Sequence, residues 1–139
     1  MGKELHKALT PNDLGLTGSH QAGIAVPKHM VQHFPPLDPS MYNPDCWISV
    51  EDNNSVIYAW RYVYYNNRLH SPNGTRNEYR LAHVRGYLNS VIAAPGDVLA
   101  IQFIDQLSVR VHLIPNKEDL ILADGELVIN LGNWRVISI

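Results

Sequence analysis

Two polar stretches carry most of the side chains with which this sequence could read a polar partner. The first runs from Thr10 to Lys28, T-P-N-D-L-G-L-T-G-S-H-Q-A-G-I-A-V-P-K, with Asn12, Asp13, Thr17, Ser19, His20 and Gln21 standing among Gly15, Gly18 and Gly23. Gln presents a donor and an acceptor together, neutral His one of each, and Asp only acceptors. The glycines let the backbone turn where a Cβ would clash. The second stretch, Asn66 to Arg80, ends in R-N-E-Y-R (Arg76 to Arg80). Arginine pairs bidentately with guanine, asparagine with adenine, and glutamate accepts from the cytosine amino group. Arginine also neutralises phosphates. On residue type alone the bland alternatives stay open: a surface loop for the first stretch, and for the second an exposed hairpin whose Arg-Glu-Arg ladder adds little stability.

The rest of the chain must position these loops. With 139 residues, 45% hydrophobic and 17% charged, it has the size of one domain and the material for a core, so residues 1–139 read as a single domain. The single cysteine, Cys46, allows no internal disulfide and suits a reducing cytoplasm. No apolar run approaches the roughly 20 residues of a membrane helix, and the N-terminus has no apolar signal core. A soluble, non-membrane, cytoplasmic protein is expected. The net charge of −2 hides a segregation. Ala59 to Ser90 holds five arginines and one acid, Glu78, whereas six acids face three basic residues from Pro95 onward. The middle of the chain is basic and the last third acidic.

Periodicity predicts a strand-rich chain. Lys3–Leu9 reads as a short strand or helical turn, Ala22–Val26 as a strand, and Lys28–Phe34 as a short helix opened by Pro27. Cys46–Glu51 and Ser55–Tyr65 follow as strands. In the latter Val56, Tyr58, Trp60, Tyr62 and Tyr64 share one face, which predicts a central strand with an aromatic core row. Asn66–Arg80 is a long hairpin tip, and His83–Ile92 a helix with Val84, Tyr87, Leu88 and Val91 on one side. Val98–Ile104 and Leu107–Leu113 are strands, Asp124-Gly125 marks a hairpin between Leu120–Ala123 and Glu126–Leu131, and Trp134–Ile139 is a last strand. Roughly seven strands with one or two short helices suggest a mainly β barrel-like or sandwich sheet. The chain stops directly after an apolar strand, from which a domain boundary and a longer natural protein are expected.

The two polar blocks, T-x-N-D-x-G-x-T-G-x-H-Q-x-G-x-x-x-P-K and G-T-R-N-E-Y-R, together resemble the N-terminal DNA-binding domain of EcoRII-type restriction endonucleases, which is similar to the plant B3 domain. The specific part is these two blocks, in this order. The resemblance implies a seven-stranded open pseudobarrel with short helices that grips the major groove of double-stranded DNA with two loops, the N-arm and the C-arm. Carried over residue by residue, Asn12, Asp13, Thr17, Ser19, His20 and Gln21 would be N-arm contacts. Arg68, Arg76, Asn77, Glu78 and Arg80 would read from the C-arm, with Tyr79 packing or meeting phosphate. Lys7 and Lys28 would meet phosphates. The implied target is CCWGG-like, where W is A or T. No cofactor is implied for binding; Mg²⁺ would serve only a covalently linked C-terminal nuclease domain outside this chain, in a bacterial cytoplasm.

Catalysis by this chain itself is not expected. Pro44-Asp45 and Glu78-Tyr79-Arg80 imitate the Mg²⁺-dependent Pro-Asp…Asp/Glu-x-Lys nuclease pattern, but the lysine is missing. No phosphate loop ending in G-K-[ST] and no zinc spacing appears. His29 and His33, at i and i+4, lack a nearby third ligand. A degenerate Mg²⁺ nuclease domain and a protein- or sugar-binding barrel module are the two alternatives.

Overall fold

The computed structural model describes residues 3–17, 23–116 and 134–138. Within them lie eight strands: β1 (Lys3–Ala8), β2 (Ile24–Val26), β3 (Asp45–Glu51), β4 (Ile57–Tyr65), β5 (Glu78–Ala82), β6 (Val98–Asp105), β7 (Ser108–Ile114) and β8 (Trp134–Ser138). Three short helical segments accompany them, a 3₁₀ helix at Lys28–His33 behind Pro27, α1 (Asn67–His70) and α2 (Arg85–Ser90). All strands join one sheet in the order β2-β5-β4-β3-β7-β6-β1-β8. Every neighbouring pair is antiparallel except β3 and β7.

Alternation decides which face of β4 is inside. Trp60, Tyr62 and Tyr64 are buried, while Ile57 and Ala59 on the opposite face are exposed. The aromatic row is core, as its pattern implies. Phe34, just after the 3₁₀ helix, is the hub: its ring stacks on Tyr62 at 4.9 Å and meets Phe103 and Trp134 edge-on at 5.5 and 5.8 Å. Tyr87 of α2 packs edge-on against Tyr58 at 5.6 Å, so the helix covers the same aromatic row. Such offset and edge-to-face pairs add to the area they bury.

The two outermost strands of the sheet, β2 and β8, meet. The indole N–H of Trp134 donates to the carbonyl of Ala25 at 3.0 Å. The sheet therefore curls until its edges face one another, yet a side chain rather than a strand ladder bridges them. This is an open pseudobarrel.

Two expectations change, and a third falls outside the described residues. One strand more than seven is present among the described residues, because the end of the second polar stretch is itself strand β5, paired with β4 from Tyr65↔Glu78 to Arg61↔Ala82. The helix expected over His83–Ile92 is shorter, since His83 and Ile92 both adopt positive φ, +66° and +53°, and end it on either side. The hairpin expected around Asp124-Gly125 lies outside the described residues.

Candidate nucleic-acid interface

The first loop is folded on itself before it meets anything. Thr10 and Asp13 cap each other: the Thr10 N–H donates to Asp13 Oδ2 at 2.9 Å, and the Asp13 N–H to Thr10 Oγ1 at 3.1 Å. Lys7 of β1 reaches the same Oδ2 at 2.9 Å and the Ala8 carbonyl at 3.0 Å. The Thr17 hydroxyl donates to Asn12 Oδ1 at 2.8 Å, closing the turn. Gly15 stands at φ +74°, and a Cβ there would lie 2.2 Å from Cζ of Arg85. The guanidinium at the start of α2 thus packs over the loop backbone, at a position whose positive φ favours glycine.

The second loop is braced at its base by two asparagines. Asn66, wholly buried, exchanges backbone-to-side-chain bonds with Asn43 at 2.7 and 3.0 Å and donates to the carbonyls of Met41 and Pro39. Oδ1 of Asn67 accepts from the N–H groups of Thr75 and Arg76 at 3.0 and 2.8 Å, and the Arg68 N–H donates to the Arg76 carbonyl. The loop so tied presents Arg76 with its guanidinium 3.8 Å over the Tyr65 ring and its Nε donating to Glu78 Oε1 at 2.9 Å. The other Glu78 oxygen accepts from Arg80 at 2.9 Å. Partial burial raises the Glu78 carboxyl, but the hydrogen bonds and charges of Arg76 and Arg80 outweigh it, so its pKa lies below the ordinary value. Tyr79 stacks on Tyr64, 4.1 Å between centroids and 2° from parallel.

Between the two loops opens a groove of about 340 Å³. Lys7, Thr10 and Asp13 line it from the first loop and its stem, Lys28 with Ala25 to Pro27 from β2 and the 3₁₀ helix, Asn77, Glu78 and Tyr79 from the second loop, and Trp134 from β8. It follows the seam where the sheet is open. The two polar blocks, far apart in the chain, both line it.

Of the residues expected to make contacts, Lys28 and Arg68 are exposed, and Asn12, Arg76, Asn77 and Glu78 are half-buried; Thr17 is exposed although tied to Asn12. Lys7, Asp13 and Arg80, also expected to make contacts, are each buried and bonded within the fold. Lys7 and Asp13 are 4% and 5% exposed and satisfy one another, and Arg80, 4% exposed, holds Glu78 and the Gly23 carbonyl. Lys7 and Asp13 line the groove while satisfying one another. Ser19, His20 and Gln21 lie outside the described residues. Sequence reading missed Arg85, Asn66, Asn67 and Trp134. The long-range partners of Arg85, Asn66 and Trp134 leave no local pattern; Asn67, among turn formers, resembled any other polar loop residue.

The carboxylates of the nuclease-like pattern do not fit a Mg²⁺ site. Asp45 accepts from Arg61 Nε at 2.6 Å and Glu78 from two arginines. Among the described residues no three His, Cys, Asp or Glu side chains group as metal ligands.

Comparison with known proteins agrees with this architecture. The family model for the N-terminal part of restriction endonuclease EcoRII matches residues 4–120. Among solved structures, the chain is similar to the B3 domain of the UbaLAI restriction endonuclease, crystallised with its cognate DNA. The two share 22% identity and a TM-score of 0.61 over 99% of this chain and 87% of that one. No curated protein matches it. With a curled sheet open at one seam and residues of both polar blocks lining the groove there, the chain belongs to the EcoRII N-terminal family and has the B3-like pseudobarrel fold.

Proposed function

We propose that this domain binds double-stranded DNA sequence-specifically, with the first loop as N-arm and the second as C-arm in the major groove, as the recognition part of a type II restriction endonuclease. The observation that carries the reading is the groove itself: two independently braced polar loops face each other across an open seam. Arg76 supports base reading. Its Nε is held by Glu78 and its plane by Tyr65, and no described residue takes up its terminal η groups, the pair that matches guanine O6 and N7. Lys28, exposed on the groove wall, supports phosphate contact. The target proposed is CCWGG-like. Cleavage, with its Mg²⁺, belongs to a linked C-terminal nuclease domain of a bacterial cytoplasmic enzyme; among the described residues no helix is long and apolar enough to cross a membrane.

The test is a gel shift of this chain with a CCWGG duplex and a scrambled one at two salt concentrations without metal. Selective binding that weakens steeply with salt is expected. Equal binding to both duplexes would discard the target, and no binding at either salt would return the fold to a protein- or sugar-binding role.

A further inference from the structure

Read by type alone, Asn77 suits adenine, which it would address through both ends of its carboxamide. Its surroundings argue otherwise. The Tyr64 hydroxyl donates to Asn77 Oδ1 at 2.5 Å. Tyr64 is 5% exposed, stands opposite Tyr79 in the β4–β5 ladder and lies flat against its ring. The phenol is clamped, so the oxygen end of Asn77 is turned to the protein. Asn77 itself lines the groove, and no described residue accepts from its Nδ2.

We infer that Asn77 acts as a hydrogen-bond donor only, reading an acceptor on a base edge such as guanine O6 or N7 or thymine O4, and that Tyr64 is the positioning residue that denies it adenine. Adenine offers N7 as acceptor and N6 as donor side by side, and answering both needs the oxygen and nitrogen of the amide together. A donor-only amide leaves the adenine N6 donor unanswered. The inference rests on the proposal that this groove takes DNA.

Competition binding against CCWGG duplexes altered one base pair at a time separates the two claims. Wild type is compared with Tyr64→Phe and with Asn77→Asp, which keeps the shape but only accepts. Asn77→Asp is expected to lose roughly ten-fold or more on the cognate duplex, and Tyr64→Phe to gain roughly ten-fold tolerance for adenine at one position. In the free domain, Tyr64→Phe should shift the Asn77 side-chain amide resonances while leaving the fold's other amide peaks in place. An unmoved Asn77 amide, an unchanged base profile in Tyr64→Phe, or equal losses on every duplex in Asn77→Asp would overturn the inference even if wild type is selective. A wild type that binds without selectivity would discard the CCWGG-like target and overturn the inference with it, whereas a wild type that does not bind would overturn the DNA reading itself.

Discussion

Arg76 is held by two different forces, a charge-assisted hydrogen bond through Nε and the face of the Tyr65 ring, before any ligand arrives. An arginine already immobilised loses little rotamer entropy on binding, so more of its bidentate pairing appears as affinity. Arg76→Ala is expected to cut cognate binding about ten- to hundred-fold while barely changing the scrambled duplex, and Arg76→Lys should not restore it, because an ammonium lacks the fork. Lys28→Ala should instead weaken all duplexes alike and reduce the salt slope by about 1. Glu78 sets the other half of this clamp. Burial favours its neutral form, the two arginines oppose that more strongly, and its folded pKa is depressed. Its contribution is thus complete above the unfolded carboxyl value and lost as pH falls through the lower folded one. An NMR titration should find Glu78 ionised below the ordinary glutamate range, with the midpoint moving up in Arg76→Ala.

At the scale of elements, the first loop hangs on the Lys7–Asp13 pair, which is more than nine-tenths buried and ties β1 to the loop base. Removing one partner leaves a buried charge uncompensated. Lys7→Met should cost about 3 kcal/mol by chemical denaturation. Type alone points a lysine and an aspartate outward, and the sequence gives no hint that they meet six residues apart inside the fold. Strand β5 was hidden for a related reason: Arg-Asn-Glu reads as loop, while the apolar half of the strand, Leu81 and Ala82, is too short to declare a period. By contrast β4 was plain, since a row of aromatic residues two apart is far more often a core face than a stacking platform. The helix α2 shows where periodicity stops being enough. Its last carbonyls are satisfied by Ile92 N–H to Asn89 and Ala93 N–H to Leu88, an arrangement that puts Ile92 at φ +53°, and no apolar spacing reveals that. Ile92 is 85% exposed, so glycine there would relieve strain and lose no burial. Ile92→Gly should raise stability by about 1 kcal/mol, the relief outweighing glycine's entropy, seen as a higher urea midpoint at constant slope.

For the molecule as a whole, the eight-stranded sheet is held along its length by ladders, and among the described residues the Trp134 indole bridges its seam. The two residues that meet there, Ala25 and Trp134, are 109 positions apart. Contacts of such separation are expensive in chain entropy until the rest of the sheet has formed, so the seam belongs to the last steps of folding. Trp134→Phe keeps a ring against Phe34 and deletes the N–H. It should therefore speed unfolding with little effect on the folding rate, read from the two arms of a stopped-flow chevron. The groove borders that seam. Its walls come into register late and part early, so brief openings of the native state should begin at the surface on which the two arms depend.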